Sequence, residues 1–220
     1  MKLSQPTTQP RVARFLITVL CAGLCWVVRA QETNVLSMAS PQLNRLLSEN
    51  PTAFRALTNV LHLACGDRTL WLYYFYSTSQ SPASAFHDYP SESHVAIYLR
   101  EDQEPLDQYI CLMYEAQNST NQKRFAELLD RAKAGSIARE QFAHDIAMLE
   151  FDAVKKTRDR LKEIRVRRGD LKRSSYHKIF AGVPDDFDRY LFYATNRSPA
   201  RNIIGELEGK YDLLRKPDVH

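Results

Sequence analysis

The sequence is poor in glycine and lacks the short motifs that depend on it. Seven of its 220 residues are glycine. It contains no G-x-S-x-G segment, the strained turn that exposes a nucleophilic serine. It also contains no glycine-rich loop whose backbone amides would hold a phosphate. The sequence therefore gives no support to a serine hydrolase of this type or to a nucleotide-binding loop.

Histidine pairs with metal-binding spacing are also missing. Two imidazoles on one helix face need a spacing of four residues, and none of the six histidines has such a partner. His87 and His94 lie seven residues apart, on either side of a serine-rich stretch. The other histidines are scattered along the chain: His62, His144, His177 and His220. We therefore predict no metal site built on histidine.

Cysteine is scarce outside the N-terminal segment, where Cys65 and Cys111 are the two that remain. An exported protein meets an oxidising compartment, so a disulfide is permitted, and two cysteines allow one pairing. Both are flanked by apolar residues (LHLACG and YICLMY). This setting is equally typical of two buried thiols that act as small apolar side chains. Both alternatives stay open.

The first thirty residues have the pattern of a cleavable secretory signal. Basic residues open the segment: Lys2, Arg11 and Arg14. The apolar run Phe15–Val28 follows, and Val28-Arg29-Ala30 supplies small residues before Gln31. The run is shorter than the roughly 20 residues that a membrane-spanning helix needs. We predict cleavage before Gln31 and a secreted or periplasmic protein, with an uncleaved N-terminal membrane anchor as the alternative.

Without that segment the chain has no net charge. Residues 1–30 hold four basic and no acidic residues, which leaves 26 Lys and Arg against 26 Asp and Glu. The isoelectric point of about 8.8 belongs to the whole sequence, so it does not argue for nucleic-acid binding. We predict no nucleic-acid partner. Residues 31–40 are predicted to form an irregular leader, and residues 41–220 a single globular domain.

Hydrophobic periodicity predicts an α+β fold made mainly of helices. Glu104–Ala134 is predicted to form one central helix, opened by Pro105 and closed before Gly135. A second long helix, capped by Ser136 and ending near Arg165, should form an antiparallel hairpin with it because the link is short. Further helices are predicted over Pro41–Ser48, Pro51–Ala64, Pro184–Thr195 and Pro199–Leu214, and a polar break over Gly169–Ser175.

Two β-strands are predicted between the early helices and the central one. Thr69–Ser77 (TLWLYYFYS) is dense in aromatic residues and should be buried on both faces. Ser79–Ser93 is a loop by composition, and His94–Arg100 (HVAIYLR) is the second strand. Because their β-branched and aromatic residues would pair well, we expect a small antiparallel ribbon or sheet packed on the helical hairpin.

Polar residues in the middle of the central helix form the first candidate site. Tyr109–Tyr114 is apolar on every side, which is typical of a helix surrounded by protein. Glu115, Gln117, Asn118 and Asn121 follow it directly. Polar groups in such a place need partners, so we predict a catalytic or binding site there. The alternative is a structural set whose members pair inside the fold or cap neighbouring turns.

The segment Tyr114–Asn118 (YEAQN) resembles the HExxH motif of zinc-dependent peptidases. In that motif two histidines, one turn apart, hold the metal, and the glutamate activates a water molecule. Glu115 occupies the position of the catalytic glutamate, and Tyr114 and Asn118 those of the histidines. Since tyrosine and asparagine are poor zinc ligands, a tight zinc site is not expected.

The stretch LMYEAQN, followed by a helix that carries Glu150, is similar to degenerate zincin-like domains of bacterial exported proteins, which are related to metallopeptidases. The likeness covers Val95–Val154. It implies catalytic roles for Glu115 and Glu150 and a zinc cofactor if any activity persists.

A basic stretch, Lys155–Arg173, is the second candidate. It holds ten basic and three acidic residues. Such a charge run can meet an anionic membrane surface, a polyanion or an acidic protein partner. Arg165, Arg167 and Arg168 are the expected contacts. The alternative is a solvated helix end that the acidic remainder of the chain neutralises.

The function predicted from the sequence is a non-catalytic binding or structural role in a secreted or periplasmic protein. One alternative is an exported metal-dependent hydrolase that uses Glu115 with Glu150 or a nearby histidine. The other is a module that docks on anionic surfaces through residues 155–173.

Overall fold

The computed structural model describes residues 39–76, 85–87, 93–165, 168–197 and 203–215. The predicted signal segment, nearly all of the leader and Arg167 lie outside these residues. The fold is α+β and mainly helical, as the sequence predicts. The helices are α1 Pro41–Glu49, α2 Pro51–Cys65, α3 Pro105–Thr120, α4 Gln122–Ala134, α5 Arg139–Glu163, α6 Arg168–Arg173, α7 Ser175–Ala181, α8 Phe187–Arg197 and α9 Ile203–Leu214. The strands are β1 Thr69–Phe75, β2 Ala85–His87 and β3 His94–Arg100.

Helices α1 and α2 begin at side-chain caps followed by proline. The hydroxyl of Ser40 accepts a hydrogen bond from the Leu43 N–H at 3.2 Å. The side chain of Asn50 accepts one from the Ala53 N–H at 3.1 Å. These bonds satisfy amides that have no partner within the helix, and the proline that follows has no N–H to satisfy. Both helices therefore start at the predicted residues.

The sheet corrects the predicted strand pairing. Strand β1 pairs parallel with β3, in the register Thr69 with His94 and Phe75 with Arg100. Strand β2, which the sequence places within a loop, pairs antiparallel with the other edge of β3. The predicted antiparallel pairing of the two long strands is wrong because residues 76–93 are long enough for a crossover between parallel strands.

One face of the sheet is buried in the core. The sequence predicts that the first strand is buried on both faces. Leu70 and Leu72 of β1 face the core together with Val95, Ile97 and Leu99 of β3. On the opposite face Phe75 and Ala96 are also buried. Four ring side chains there are partly exposed and stack in pairs: Trp71 on His94 with ring centroids 3.9 Å apart, and Tyr73 on Tyr98 at 4.8 Å. The aromatic run thus alternates between a core face and a half-buried face.

Helix α3 lies in the centre of the main hydrophobic cluster. From Leu106 to Met113 every side chain is at least 95% buried, including polar ones with internal partners. The side-chain oxygen Oε1 of Gln108 accepts a hydrogen bond from Ser40 Oγ at 2.7 Å, and its side-chain Nε2 donates one to Glu101 O at 2.8 Å. The Tyr109 hydroxyl donates to Ala53 O at 3.2 Å. Helix α3 is therefore surrounded by protein, as predicted.

The predicted single helix over Glu104–Ala134 is two helices that meet at Asn121. The backbone of Asn121 (φ −92°, ψ 4°) leaves the helical region, and its N–H bonds back to Asn118 O at 2.9 Å. Because of this break, the two helices pack in different hydrophobic clusters. Helix α3 packs in the main cluster, while α4 packs with α5 and α9 in a second cluster: Phe125, Leu128, Ala132, Ile137, Phe142, Ile146 and Leu149. Gly135 ends α4 in the left-handed conformation (φ 69°), as predicted.

Two boundaries further along differ from the prediction. Helix α5 starts after Ala138 rather than at Ser136, whose hydroxyl donates to Arg131 O at 3.2 Å. The predicted polar break Gly169–Ser175 contains the short helix α6. The predicted terminal helices are confirmed as α8 and α9. Within the described ranges, none of the helices combines the length and the apolar character required to span a membrane.

Candidate functional site

The predicted site residues on α3 are enclosed by the fold. Glu115 and Gln117 are 6% exposed, Asn118 is 2% exposed, and Asn121, at the break, is 6% exposed. None of these four residues lines either of the two surface recesses described below. The sequence correctly predicts polar groups inside the protein here, and the structure gives them little contact with solvent.

Tyr114 and Glu150, both singled out from the sequence, contact each other. The Tyr114 hydroxyl donates a hydrogen bond to Glu150 Oε2. Burial raises the pKa of Tyr114 well above its ordinary value, and the negative charges of Glu150 and Glu115 raise it further. The phenol is therefore neutral, and it is a donor to the carboxylate that the zincin-like resemblance makes catalytic.

Aromatic rings pack against Tyr114 and against Phe151, the neighbour of Glu150 in the chain. Phe180 of α7 meets the Tyr114 ring edge-on at 5.8 Å. On α5, Phe151 packs against Tyr190 at 4.9 Å and Phe187 at 5.6 Å, both from α8. Rings of this kind displace water, which strengthens a hydrogen bond between a phenol and a carboxylate. The pair thus joins α3 to α5, and α7 contacts Tyr114 through Phe180.

The remaining polar residues near the break have internal contacts. Asn121 Nδ2 donates to Asp152 Oδ2 on α5 at 3.3 Å. Gln122 Oε1, at the start of α4, accepts from the guanidinium of Arg68. That guanidinium also donates to the carbonyl oxygens of Cys65 at 3.2 Å and Ala64 at 2.5 Å. Arg68 therefore connects the end of α2 to the start of α4, and the sequence analysis missed it.

Glu115 is buried on α3, with 6% of its surface exposed. Its backbone carbonyl accepts a hydrogen bond from Ser119 Oγ at 2.9 Å. Its negative charge adds to burial in raising the pKa of Cys111, one turn earlier on α3. Cys111 and Cys65 are free and buried, and burial raises the pKa of Cys65 to about 11. Of the two cysteine alternatives, the structure has buried thiols.

The donor set at YEAQN does not fit a zinc ion. Within the described ranges, no three His, Cys, Asp or Glu side chains are grouped so that they could hold a metal. Tyr114 already donates to Glu150. The side-chain oxygen of Asn118 is buried without a hydrogen-bond partner, but a neutral amide oxygen alone is a weak ligand for zinc. We therefore derive no metal-dependent step at Glu115.

A carboxylate that the sequence analysis missed organises the other end of α3. Asp107 is 5% exposed and accepts hydrogen bonds from the start of α7: from the Ser175 N–H at 3.2 Å, Ser175 Oγ at 3.0 Å, the Tyr176 N–H at 3.1 Å and Ser174 Oγ. A negative charge at the N-terminus of a helix is favourable. Asp107 is thus a structural cap supplied from 67 residues away.

The basic stretch divides into paired and unpaired residues. Arg158 is 5% exposed, donates to Val183 O at 2.8 Å and forms ion pairs with Asp159 and Asp185. Other pairs within 4.0 Å are Lys156 with Asp152, Arg160 with Glu163, Lys162 with Asp159, and Arg173 with Asp170 and Glu104. The exposed Arg165, Arg168 and Lys172 have no carboxylate partner in the part of the chain that the structure describes.

Two adjoining surface recesses lie beside α1. The smaller, about 120 Å³, is lined by Gln42, Arg45, Leu46, Glu49, Asn50, Pro105, Arg165, Asp170 and Arg173. The larger, about 600 Å³, shares five of these residues and adds Pro41, Asp102, Gln103 and Glu104. They bring Arg165, singled out from the sequence, next to Arg45 and Arg173.

Comparison with known proteins gives no family to which the chain can be assigned. No family model matches the sequence. No curated protein and no solved structure matches it. The function must therefore be argued from the residues and contacts above.

Proposed function

We propose that this protein acts by binding or as a structural component, and not as an enzyme. The observation that supports this most directly is the state of the predicted active-site residues. Tyr114 is bonded to Glu150, Asn121 to Asp152, and Glu115 is 6% exposed. A hydrolytic site needs a carboxylate that can reach a water molecule and a substrate. Tyr114 and Asn121 instead connect α3 and its end to α5.

The likeness of YEAQN to a zinc-peptidase motif remains a prediction. Under that prediction Glu115 would activate a water molecule and Glu150 would assist it. Two observations support the non-enzymatic proposal instead: the Tyr114 phenol donates to Glu150, and Glu115 lines neither recess. The alternative hydrolase would need α7 and α8 to move away from Tyr114 and Phe151.

Zinc titration of the purified protein tests the proposal. We expect no stoichiometric binding in calorimetry and no zinc-dependent cleavage of an unfolded, fluorescently labelled protein substrate. Glu115→Gln should behave like the wild type in both assays. One zinc per chain, with cleavage that Glu115→Gln removes, would contradict the proposal and support the hydrolase.

We propose as a second candidate that the protein docks on anionic surfaces through the end of the basic stretch. Arg165, Arg168 and Lys172 support this because they are exposed and unpaired within the described ranges. Five other basic residues of the stretch contribute less, since carboxylates of the same chain neutralise them. Long-range attraction to an anionic membrane is worth about 1 kcal/mol per basic residue near the surface.

Vesicle sedimentation separates this candidate from a solvated charge run. Vesicles with anionic lipid should retain the protein at low salt and release it as salt rises, because mobile ions screen the attraction. Charge reversal of Arg165, Arg168 and Lys172 to Glu should abolish retention. The control reverses three exposed basic residues on α4, Lys123, Arg124 and Lys133, and should leave retention nearly unchanged. No retention at low salt, or equal loss in both variants, would refute surface docking.

We also propose export, with residues 1–30 removed. Support comes from the basic start, the apolar run Phe15–Val28 and the small residues before Gln31. N-terminal sequencing of the protein from the extracellular or periplasmic fraction should find Gln31 first. Met1 retained in a membrane fraction would favour the N-terminal anchor instead.

A further inference from the structure

The smaller recess beside α1 brings together arginines from three separate parts of the chain. Arg45 lies on α1, Arg165 follows α5, and Arg173 ends α6. Its volume of about 120 Å³ is roughly ten times the ~10–15 Å³ that a single water molecule requires. The recess can therefore hold a small ligand and not merely a single ordered water.

More arginines than carboxylates line this recess, so positive charge is available to a ligand. Its ionised side chains are three arginines and two carboxylates, Glu49 and Asp170. Asp170 pairs with Arg173, which also reaches Glu104 at 3.3 Å. Arg45 and Arg165 have no carboxylate partner in the described ranges. Two unpaired guanidinium groups thus border one recess, with a third shared between protein carboxylates.

Helix ends of both polarities border the recess, so its preference for an anion rests on the arginines. Glu49 ends α1, Arg165 follows the end of α5, and Arg173 ends α6. Three N-terminal ends lie there as well. Gln42 lies in the first turn of α1, Asn50 caps α2, and Pro105 is the first residue of the 16-residue helix α3. The positive end of a helix dipole favours a negative ligand. Asn50 Nδ2 also donates to the backbone carbonyl of Arg165, which holds that residue against the junction of α1 and α2.

We propose that this recess binds a phosphate-type anion, either inorganic phosphate or the phosphate of a phosphomonoester. Guanidinium groups present planar, paired donors that match phosphate oxygens. Three arginines lining one recess offer more donors than a two-oxygen carboxylate can accept in full, whereas a phosphate has several oxygens to receive them. Arg173 would exchange part of its contact with Glu104 for the ligand. The site deepens the anionic-surface candidate by naming a discrete ligand, and it relies on Arg45, which lies outside the basic stretch.

Calorimetric titration of the full chain with inorganic phosphate tests the site, at an ionic strength held constant with chloride. We expect one phosphate per chain. Arg45→Gln and Arg165→Gln should each weaken the affinity about tenfold, the loss of one charge-assisted contact. Arg124→Gln, an exposed arginine on α4 away from the recess, is the matched control and should bind as the wild type does. Thermal melts of all four proteins confirm that each is folded.

Absence of phosphate binding, or equal affinity in the wild type and the Arg45→Gln variant, would overturn the proposal. A second arm identifies the source of the phosphate group. If vesicles containing phosphatidic acid retain the protein, inorganic phosphate competes, and Arg45→Gln weakens retention, the ligand is a lipid phosphate. If Arg45→Gln weakens only the soluble anion, the ligand is a free phosphate or phosphomonoester. A third outcome is vesicle binding that Lys172→Glu abolishes, in a protein that does not bind phosphate. That result would support surface docking and refute the phosphate site in the recess.

Discussion

The phenol of Tyr114 on α3 donates a hydrogen bond to the carboxylate of Glu150 on α5, 36 residues further along the chain. The two residues correspond to a ligand position and a catalytic carboxylate in the zincin-like resemblance. In the structure they are bonded to each other, and Phe180 packs edge-on against the Tyr114 ring. A pair of this kind links two helices and contributes to stability.

Removing this hydrogen bond should destabilise the protein. Tyr114→Phe leaves the Glu150 carboxylate without its donor, so we expect a loss of about 1–3 kcal/mol in the free energy of unfolding. Glu150→Gln should also cost stability, and the double variant should lose less than the sum of the two. Chemical denaturation of the four proteins measures this coupling. Tyr76→Phe, at a residue 66% exposed, is the control and should have little effect; additive losses at Tyr114 and Glu150 would show that the pair does not interact.

Asp107 should be the most sensitive carboxylate at the start of α3. Asp107→Asn replaces an ion that accepts four hydrogen bonds with a neutral amide, so donors of Ser174, Ser175 and Tyr176 lose acceptors. We expect a loss of at least about 2 kcal/mol. Hydrogen exchange should show α7 opening first. Asp130→Asn, whose side chain is 79% exposed, should change stability little. Equal behaviour of the two variants would contradict the capping role of Asp107.

The two thiols should be unreactive in the native protein. Burial raises the pKa of Cys65 to about 11 and that of Cys111 further, so both remain protonated near neutral pH. The measurement uses protein without residues 1–30, which removes Cys21 and Cys25. Since the thiolate is the reactive form, an aromatic disulfide reagent should report no fast-reacting thiol before denaturation and two afterwards. If no thiol reacts even after denaturation without a reductant, Cys65 and Cys111 form a disulfide in the exported protein.

Stability should decline in alkaline solution because of a buried phenol. Burial raises the pKa of Tyr74 to about 12, and its hydroxyl oxygen accepts a hydrogen bond from the Ser40 N–H at 2.8 Å. The folded state therefore holds this proton more tightly than the unfolded state, whose tyrosine pKa is about 10. The associated stability is present below pH about 10 and is lost as the pH rises through about 12. Chemical denaturation at several pH values between about 10 and 12 measures how the free energy of unfolding falls with pH. Tyr74→Phe should make this fall less steep. An equally steep fall in the variant would exclude Tyr74 as its source.

Local signals in the sequence were enough to predict much of the helical structure. Apolar spacing predicted helices that start at Pro41 and Pro51, and Gly135 predicted a helix end, because these signals depend on neighbouring residues. Strand direction was predicted wrongly. It depends on how residues 76–93 return to the sheet, and short strands of the same composition pair in either direction. The break at Asn121 was missed because apolar spacing continues across it, although it serves two different clusters.

For the site, the sequence predicted which residues would need partners and not which partners they have. The all-round apolar turn before Glu115 correctly indicated a buried helix, so the polar residues after it had to be satisfied inside the fold. The contacts of Tyr114 with Glu150 and of Asp107 with Ser174 span 36 and 67 residues. Only the packing of α5 and α7 against α3 determines them. The same holds for Arg45, which an isolated α1 sequence does not connect to Arg165.

The stability of Glu115→Gln is the most direct test of the claim that the polar residues of α3 are structural. Glu115 is 6% exposed, so a structural carboxylate at this place must be stabilised by polar groups around it. Loss of its charge should then lower the free energy of unfolding by about 1–3 kcal/mol. Glu127→Gln, an exposed change on α4, sets the baseline in the same denaturation experiment. A Glu115→Gln protein as stable as the wild type, or more stable, is the behaviour of an active-site residue and would contradict this account.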